Sequence, residues 1–117
     1  MFSINYRDPR PLYEQITDTI EKFALSGILK PDEKLPSVRE LAMQLSINPN
    51  TIQKAYSMLD AKGITYAVKG KGIFIAPDCS KAQAVRLDEI KSAVQDLVAE
   101  AKELGATQGD IESWIKN

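Results

Sequence analysis

Between Leu12 and Ala24 the apolar residues fall at Leu12, Ile16, Ile20 and Phe23/Ala24, the spacing of a helix with one buried face, and Gly27 closes the run. Pro11 suits the first turn of that helix. Ahead of it, Phe2-Ser3-Ile4-Asn5-Tyr6 alternates apolar and polar and reads as a short extended arm or edge strand. Pro31 to Pro36 reads as a loop. Ser37 followed by Glu40 is a capping box, which starts a second helix with Val38, Leu41, Ala42 and Leu45 on one face. That helix stops near Ser46-Ile47. Asn48 then supplies an N-cap and Pro49 a first helical residue, so a third helix is predicted over about 49–62, with Ile52, Ala55, Tyr56 and Leu59 as its buried stripe.

Ile64-Thr65-Tyr66-Ala67-Val68 and Ile73-Phe74-Ile75-Ala76 read as two strands, joined at a glycine-rich tip, Lys69-Gly70-Lys71-Gly72. Two helices across a two-to-three-residue turn, followed by a hairpin, make a winged helix-turn-helix. The last forty residues differ in kind. Leu87, Ile90, Val94, Leu97, Ala101 and Leu104 recur at alternating steps of three and four, an a/d stripe ended by Gly105. Thr107 with Asp110 caps a last short helix carrying Ile111, Trp114 and Ile115. The expected fold class is α+β and mostly helical. A winged helix-turn-helix domain over residues 1–78 precedes a helical region over 79–117.

Composition narrows the chemistry. With 44% hydrophobic and 26% charged residues the 117-residue chain has the balance of a soluble globular protein. It contains no histidine, which removes imidazole acid–base catalysis, Ser-His and Cys-His nucleophile pairs, and His-ligated zinc. A single cysteine, Cys79, forms neither an internal disulfide nor a Cys-rich metal site and fits a reducing cytoplasm. No apolar stretch approaches a membrane span, and the N-terminus lacks the apolar run of a signal peptide. No catalytic residues, metal or cofactor are expected, and the protein reads as cytoplasmic and not an enzyme.

Net charge is −1, yet between Lys34 and Lys71 six basic residues (Lys34, Arg39, Lys54, Lys62, Lys69, Lys71) face two acidic ones (Glu40, Asp60). That local excess is where an acidic polymer would sit. The third helix opens with Asn48, Asn50, Thr51 and Gln53, side chains able to hydrogen-bond base edges in a major groove, with Lys54 within reach of a phosphate. Arg39, at the start of the second helix, can clamp a phosphate or reach a guanine. Lys69, Gly70 and Lys71 suit a wing laid along the minor groove or the backbone. Each has a plainer reading: Asn48 as a cap alone, Arg39 in a surface ion pair with Glu40 or Glu33, the wing lysines as a solvated turn. Tyr13, Tyr56, Tyr66 and Phe74 read as core or interface residues. The a/d stripe is either a helix folded back on its own domain or a self-association surface. In the second case two modest footprints on adjacent half-sites multiply into useful affinity.

The runs Leu35-Pro36-Ser37-Val38-Arg39-Glu40-Leu41-Ala42, Asn48-Pro49-Asn50-Thr51-Ile52-Gln53-Lys54-Ala55-Tyr56 and Gly70-Lys71-Gly72-Ile73-Phe74-Ile75, with Gly63-Ile64 between them, resemble the GntR family of bacterial transcription regulators. Pro11-Leu12-Tyr13-Glu14-Gln15-Ile16 adds to the match, and the Asn-Pro-Asn-Thr entry with a short C-terminal region resembles the YtrA subfamily. The resemblance implies a homodimeric repressor on a palindromic double-stranded operator, often governing its own operon beside ABC-type transporter genes. It places Arg39, Asn48, Asn50, Thr51 and Gln53 at DNA-reading positions and Lys69 with Gly70 in the wing. Pro49 and Gln53 stand where many relatives carry arginine, and Asp32 where glycine is usual. Forty residues are too few for the larger ligand-sensing domain of other relatives, so a small-molecule effector, if there is one, has to use a crevice at the dimer interface. The rival readings are a winged helix that binds protein instead of DNA, and a sensor whose ligand controls the output.

Overall fold

The computed structural model describes residue 5 and residues 7–116. Apart from Asn5, the arm predicted over Phe2–Tyr6 lies outside them. The elements run α1 (Leu12–Leu25), α2 (Val38–Leu45), α3 (Pro49–Ala61), β1 (Thr65–Val68), β2 (Gly72–Ile75), α4 (Ser80–Glu103) and α5 (Gln108–Trp114). They fall into two compact units, Met1–Gln83 and Ala84–Asn117.

Local chemistry sets the ends of the helices in the first unit. At α2 the Ser37 hydroxyl accepts from the Glu40 amide (3.0 Å) while the Glu40 carboxylate accepts from the Ser37 amide (3.0 Å), satisfying donors at both ends of the first turn. The backbone hydrogen bond from Ser37 is the largest cause holding the Glu40 carboxyl below its ordinary range. Ser46 ends α2 in the left-handed region (φ 54°), and the Ile47 amide donates to the Ala42 carbonyl at 3.0 Å. Asn48 caps α3 at once, its side-chain oxygen accepting from the Asn50 amide at 2.9 Å, with Pro49 as the first helical residue. At the other end Gly63 turns at φ 76°, a conformation that a Cβ would strain, and lets the Ile64 amide reach the Leu59 carbonyl at 3.0 Å.

The core lies between α1, α2, α3 and the hairpin. Ile16, Ile20, Leu41, Ile52, Leu59, Ile64 and Ile75 are almost wholly inaccessible, and each contributes roughly 1.5–3 kcal/mol by leaving water. Two polar contacts fix how the helices meet. The buried Tyr56 hydroxyl donates to the Pro36 carbonyl at 2.7 Å, tying α3 to the residue before the α2 cap. The buried Glu21 of α1 pairs with Lys62, just past α3, at 2.8 Å.

The hairpin is antiparallel, with Thr65 opposite Ile75 and Val68 opposite Gly72. Both strands sit slightly off the spans predicted, because Ile64 is drawn into the C-terminal turn of α3 and Gly72 pairs with Val68. The segment before α2 is more than the loop expected over Pro31–Pro36. Lys34 bridges Phe74, and Leu35 N–H to Ile73 (2.9 Å) and Ile75 N–H to Glu33 (2.9 Å) give β2 a second, very short partner. Two bonded residues between prolines leave no alternation to read.

The second unit is helical. α4 begins within the first unit at Ser80, ahead of the Leu87 stripe, where the Asp78 carboxylate accepts from the Ser80 amide at 2.9 Å. None of its residues is buried. Leu87, Ile90, Val94, Leu97 and Leu104 are exposed, Leu97 by 65% and Leu104 by 83%. Ala101 is half-buried. α5 starts on a capping box of Thr107 and Asp110 and buries Ile111.

Candidate nucleic-acid interface

A helix offers a groove only the face it does not spend on the core. In α3 the buried stripe Ile52, Ala55, Tyr56 and Leu59 leaves the opposite row, Asn50, Gln53, Lys54 and Ser57, exposed. These four recur at i, i+3, i+4 and i+7, one continuous face of the helix. Asn50 makes no side-chain hydrogen bond among the described residues. Gln53 donates to the Ser57 hydroxyl at 3.3 Å, a solvent-exposed bond that a base edge can replace. Thr51 is half-buried beside this row. Asn48 is exposed, but its side-chain oxygen is committed to the cap and only its amide N–H₂ remains to donate outward.

Lys54 is held more tightly than its position on an exposed face suggests. Its ammonium lies 3.9 Å from the centroid of the Tyr13 ring on α1. Arg39, the second residue of α2, is exposed and makes no hydrogen bond or ion pair among the described residues. The surface pairs with Glu40 or Glu33 are therefore absent there: Glu40 serves the cap, and Glu33 accepts from the Lys30 amide at 3.0 Å. Arg10 shows the contrast, being engaged by both Asp8 and Asp18.

At the hairpin tip the Lys71 amide donates to the Val68 carbonyl at 2.9 Å, with Gly70 at φ 77° in the third position of the turn, the sign a type II turn needs. Lys69 and Lys71 are exposed on either side. A side chain at Gly72 would meet the Lys34 stem, whose Cε lies 2.9 Å from the Cβ position, so Lys34 runs across the base of the wing. Lys34 contributes to the basic excess in the sequence, but nothing in the sequence places it on the hairpin. The opposite correction applies to Lys62. Its charge is spent on Glu21, which reduces the free basic excess of this region by one.

The wing is braced from its far side. Tyr66 and Phe74 stack with ring centroids 5.6 Å apart, and the Tyr66 hydroxyl donates to the Asp32 carboxylate at 2.7 Å. Asp32 has φ 62°, in the left-handed region that glycine enters without strain. Of the four aromatics read as core or interface, Tyr56 is buried, Tyr66 and Phe74 brace the wing and Tyr13 faces Lys54. Cys79 is half-buried, and burial followed by the nearby Asp78 pushes its thiol up, away from the reactive thiolate. Among the described residues no three His, Cys, Asp or Glu side chains are placed to hold a metal, and no helix is long and apolar enough to cross a membrane.

A short second helix, a tight left-handed turn, a third helix with one polar exposed face and a braced basic hairpin define a winged helix-turn-helix protein. Residues 12–75 match the family described as bacterial regulatory proteins, gntR family. Over 117 aligned residues the chain is 37% identical to the HTH-type transcriptional repressor YtrA of Bacillus subtilis, covering 99% of this chain and 90% of that protein. A transcriptional regulator from Oenococcus oeni superposes with a TM-score of 0.82 at 31% identity, covering 97% of this chain and 93% of that one. The DNA-binding domain of AraR, solved in complex with operator ORE1, superposes at 0.55 with 32% identity over 65% of this chain and 93% of that one. The chain belongs to the GntR family, which makes it a DNA-binding transcriptional regulator and not an enzyme.

Proposed function

We propose that this protein is a homodimeric repressor that reads a palindromic operator governing its own operon. Residues 1–78 bind DNA and residues 79–117 pair the two copies. The polar row of α3 enters the major groove, where Asn50 and Gln53 read base edges and the Thr51 methyl meets a thymine. Arg39, Asn48 and Lys54 hold the backbone, and Lys69, Gly70 and Lys71 lie along the minor groove or the phosphates beside it. The observation that carries this reading is the exposed Asn50–Gln53–Lys54 face, set on a helix whose other side is fully packed. The operator complex of the AraR domain supports it.

The dimer part rests on the stripe Leu87, Ile90, Val94, Leu97, Ala101 and Leu104. Most of its apolar side chains are left in water, as suits a coiled-coil seam awaiting a partner. A dimer also supplies what one footprint lacks, since each additional phosphate contact steepens the salt dependence and raises affinity.

Selection of binding sites from a random duplex library tests both parts. The expected motif is two-fold symmetric, with half-sites about one helical turn or a multiple of it apart, and Asn50→Ala relaxes the preference at particular positions of each half. A motif without symmetry would remove the dimer from the reading. Failure to enrich any duplex would remove direct DNA readout in favour of a protein-binding winged helix.

A further inference from the structure

Tyr13 lies on α1, outside both the helix-turn-helix pair and the wing, yet its ring covers the Lys54 ammonium at 3.9 Å. An exposed lysine ordinarily samples many rotamers and loses that freedom when it grips a phosphate. Here the ring face already fixes the ammonium beside α3. Only one side of the ammonium meets the ring, so its remaining N–H donors are free for an oxygen. The Tyr13 hydroxyl is turned elsewhere, 3.4 Å from the Glu14 carboxylate.

We infer that Tyr13 is a positioning residue for DNA binding, its ring holding Lys54 in place for a phosphate before the duplex arrives. The inference rests on the proposed placement of Lys54 at the DNA backbone. It links α1 to affinity through a side chain that itself touches no nucleotide. The aromatic face is what matters, and the hydroxyl is dispensable.

The test is a double-mutant cycle on the full chain. The probe is a duplex that the wild-type protein has selected from a random library, and binding is followed by fluorescence anisotropy across a salt series. Lys54→Ala should weaken binding and flatten the slope of log affinity against log salt by about 0.9, the loss of one phosphate contact. Tyr13→Leu should weaken binding by about two- to fivefold, the usual range for an exposed cation–π contact, and should cost nothing further once Lys54 is alanine. Tyr13→Phe should match wild type. The positioning role is overturned if Tyr13→Leu costs the same in both backgrounds, if it costs nothing in wild type, or if Tyr13→Phe is as damaging as Tyr13→Leu. A Lys54→Ala protein with unchanged affinity and slope would instead overturn the placement of Lys54 at the backbone, and the inference with it. Urea unfolding of each variant separates loss of fold from loss of contact.

Discussion

Replacing Tyr56 with phenylalanine removes one oxygen from a ring that is only 2% exposed and leaves the packing of α3 unchanged. That oxygen donates at 2.7 Å to the Pro36 carbonyl, which has no other donor among the described residues. The variant therefore loses a buried hydrogen bond and leaves an acceptor to find water, a cost of about 1–2 kcal/mol near neutral pH. The linkage to pH sharpens the prediction. Burial, followed by the Glu40 charge, pushes the Tyr56 phenol well above its ordinary value of 10.0. Above pH 10 the unfolded chain releases this proton while the folded chain keeps it, so wild-type stability falls by about 1.4 kcal/mol for each further pH unit. Phenylalanine has no such proton. Urea unfolding at pH 7 should show the variant less stable by about 1–2 kcal/mol, and the two proteins should draw level about one pH unit above 10. Equal stability at pH 7, or a gap that stays constant to pH 11, would refute the reasoning.

Four further substitutions have outcomes that follow from burial and backbone geometry. The Thr65 hydroxyl is buried without a hydrogen-bond partner among the described residues, so Thr65→Val should stabilise the protein by about 1 kcal/mol in the same urea assay. Asp32→Ala keeps the left-handed strain at φ 62° and loses the Tyr66 bond, a loss of about 1–2 kcal/mol. Asp32→Gly loses the same bond but relieves the strain and should fall close to wild type. A charge in the exposed stripe, Leu97→Asp, should give a monomer in analytical ultracentrifugation with much weaker operator binding; an unchanged dimer would place the interface elsewhere.

The signals that proved readable in the sequence are local. Ser37 with Glu40, Thr107 with Asp110, and Asn48 with Pro49 are each complete within four residues, and the structure forms all three caps. The buried stripe of α3 follows from helical spacing alone, and its exposed polar row is the remainder. What escaped depends on residues distant in the chain. Lys62 reads as a free cation until the fold brings Glu21 to it from 41 residues away. Lys34 reads as a loop residue until its bridge to Phe74 lays it across the wing. The Tyr13–Lys54 contact needs the packing of α1 on α3, which no periodicity encodes. Asp32 holds a left-handed backbone position, and its compensating bond to Tyr66 is likewise a tertiary contact.

Fluorescence anisotropy tests the central claim most directly, using a duplex from upstream of the protein's own coding sequence beside a scrambled duplex at two salt concentrations. The account predicts tight, salt-sensitive binding that strongly prefers the native duplex, with Arg39→Ala and Lys71→Ala each weakening binding to both duplexes and reducing the salt dependence. Absence of binding to either duplex at low salt would contradict it.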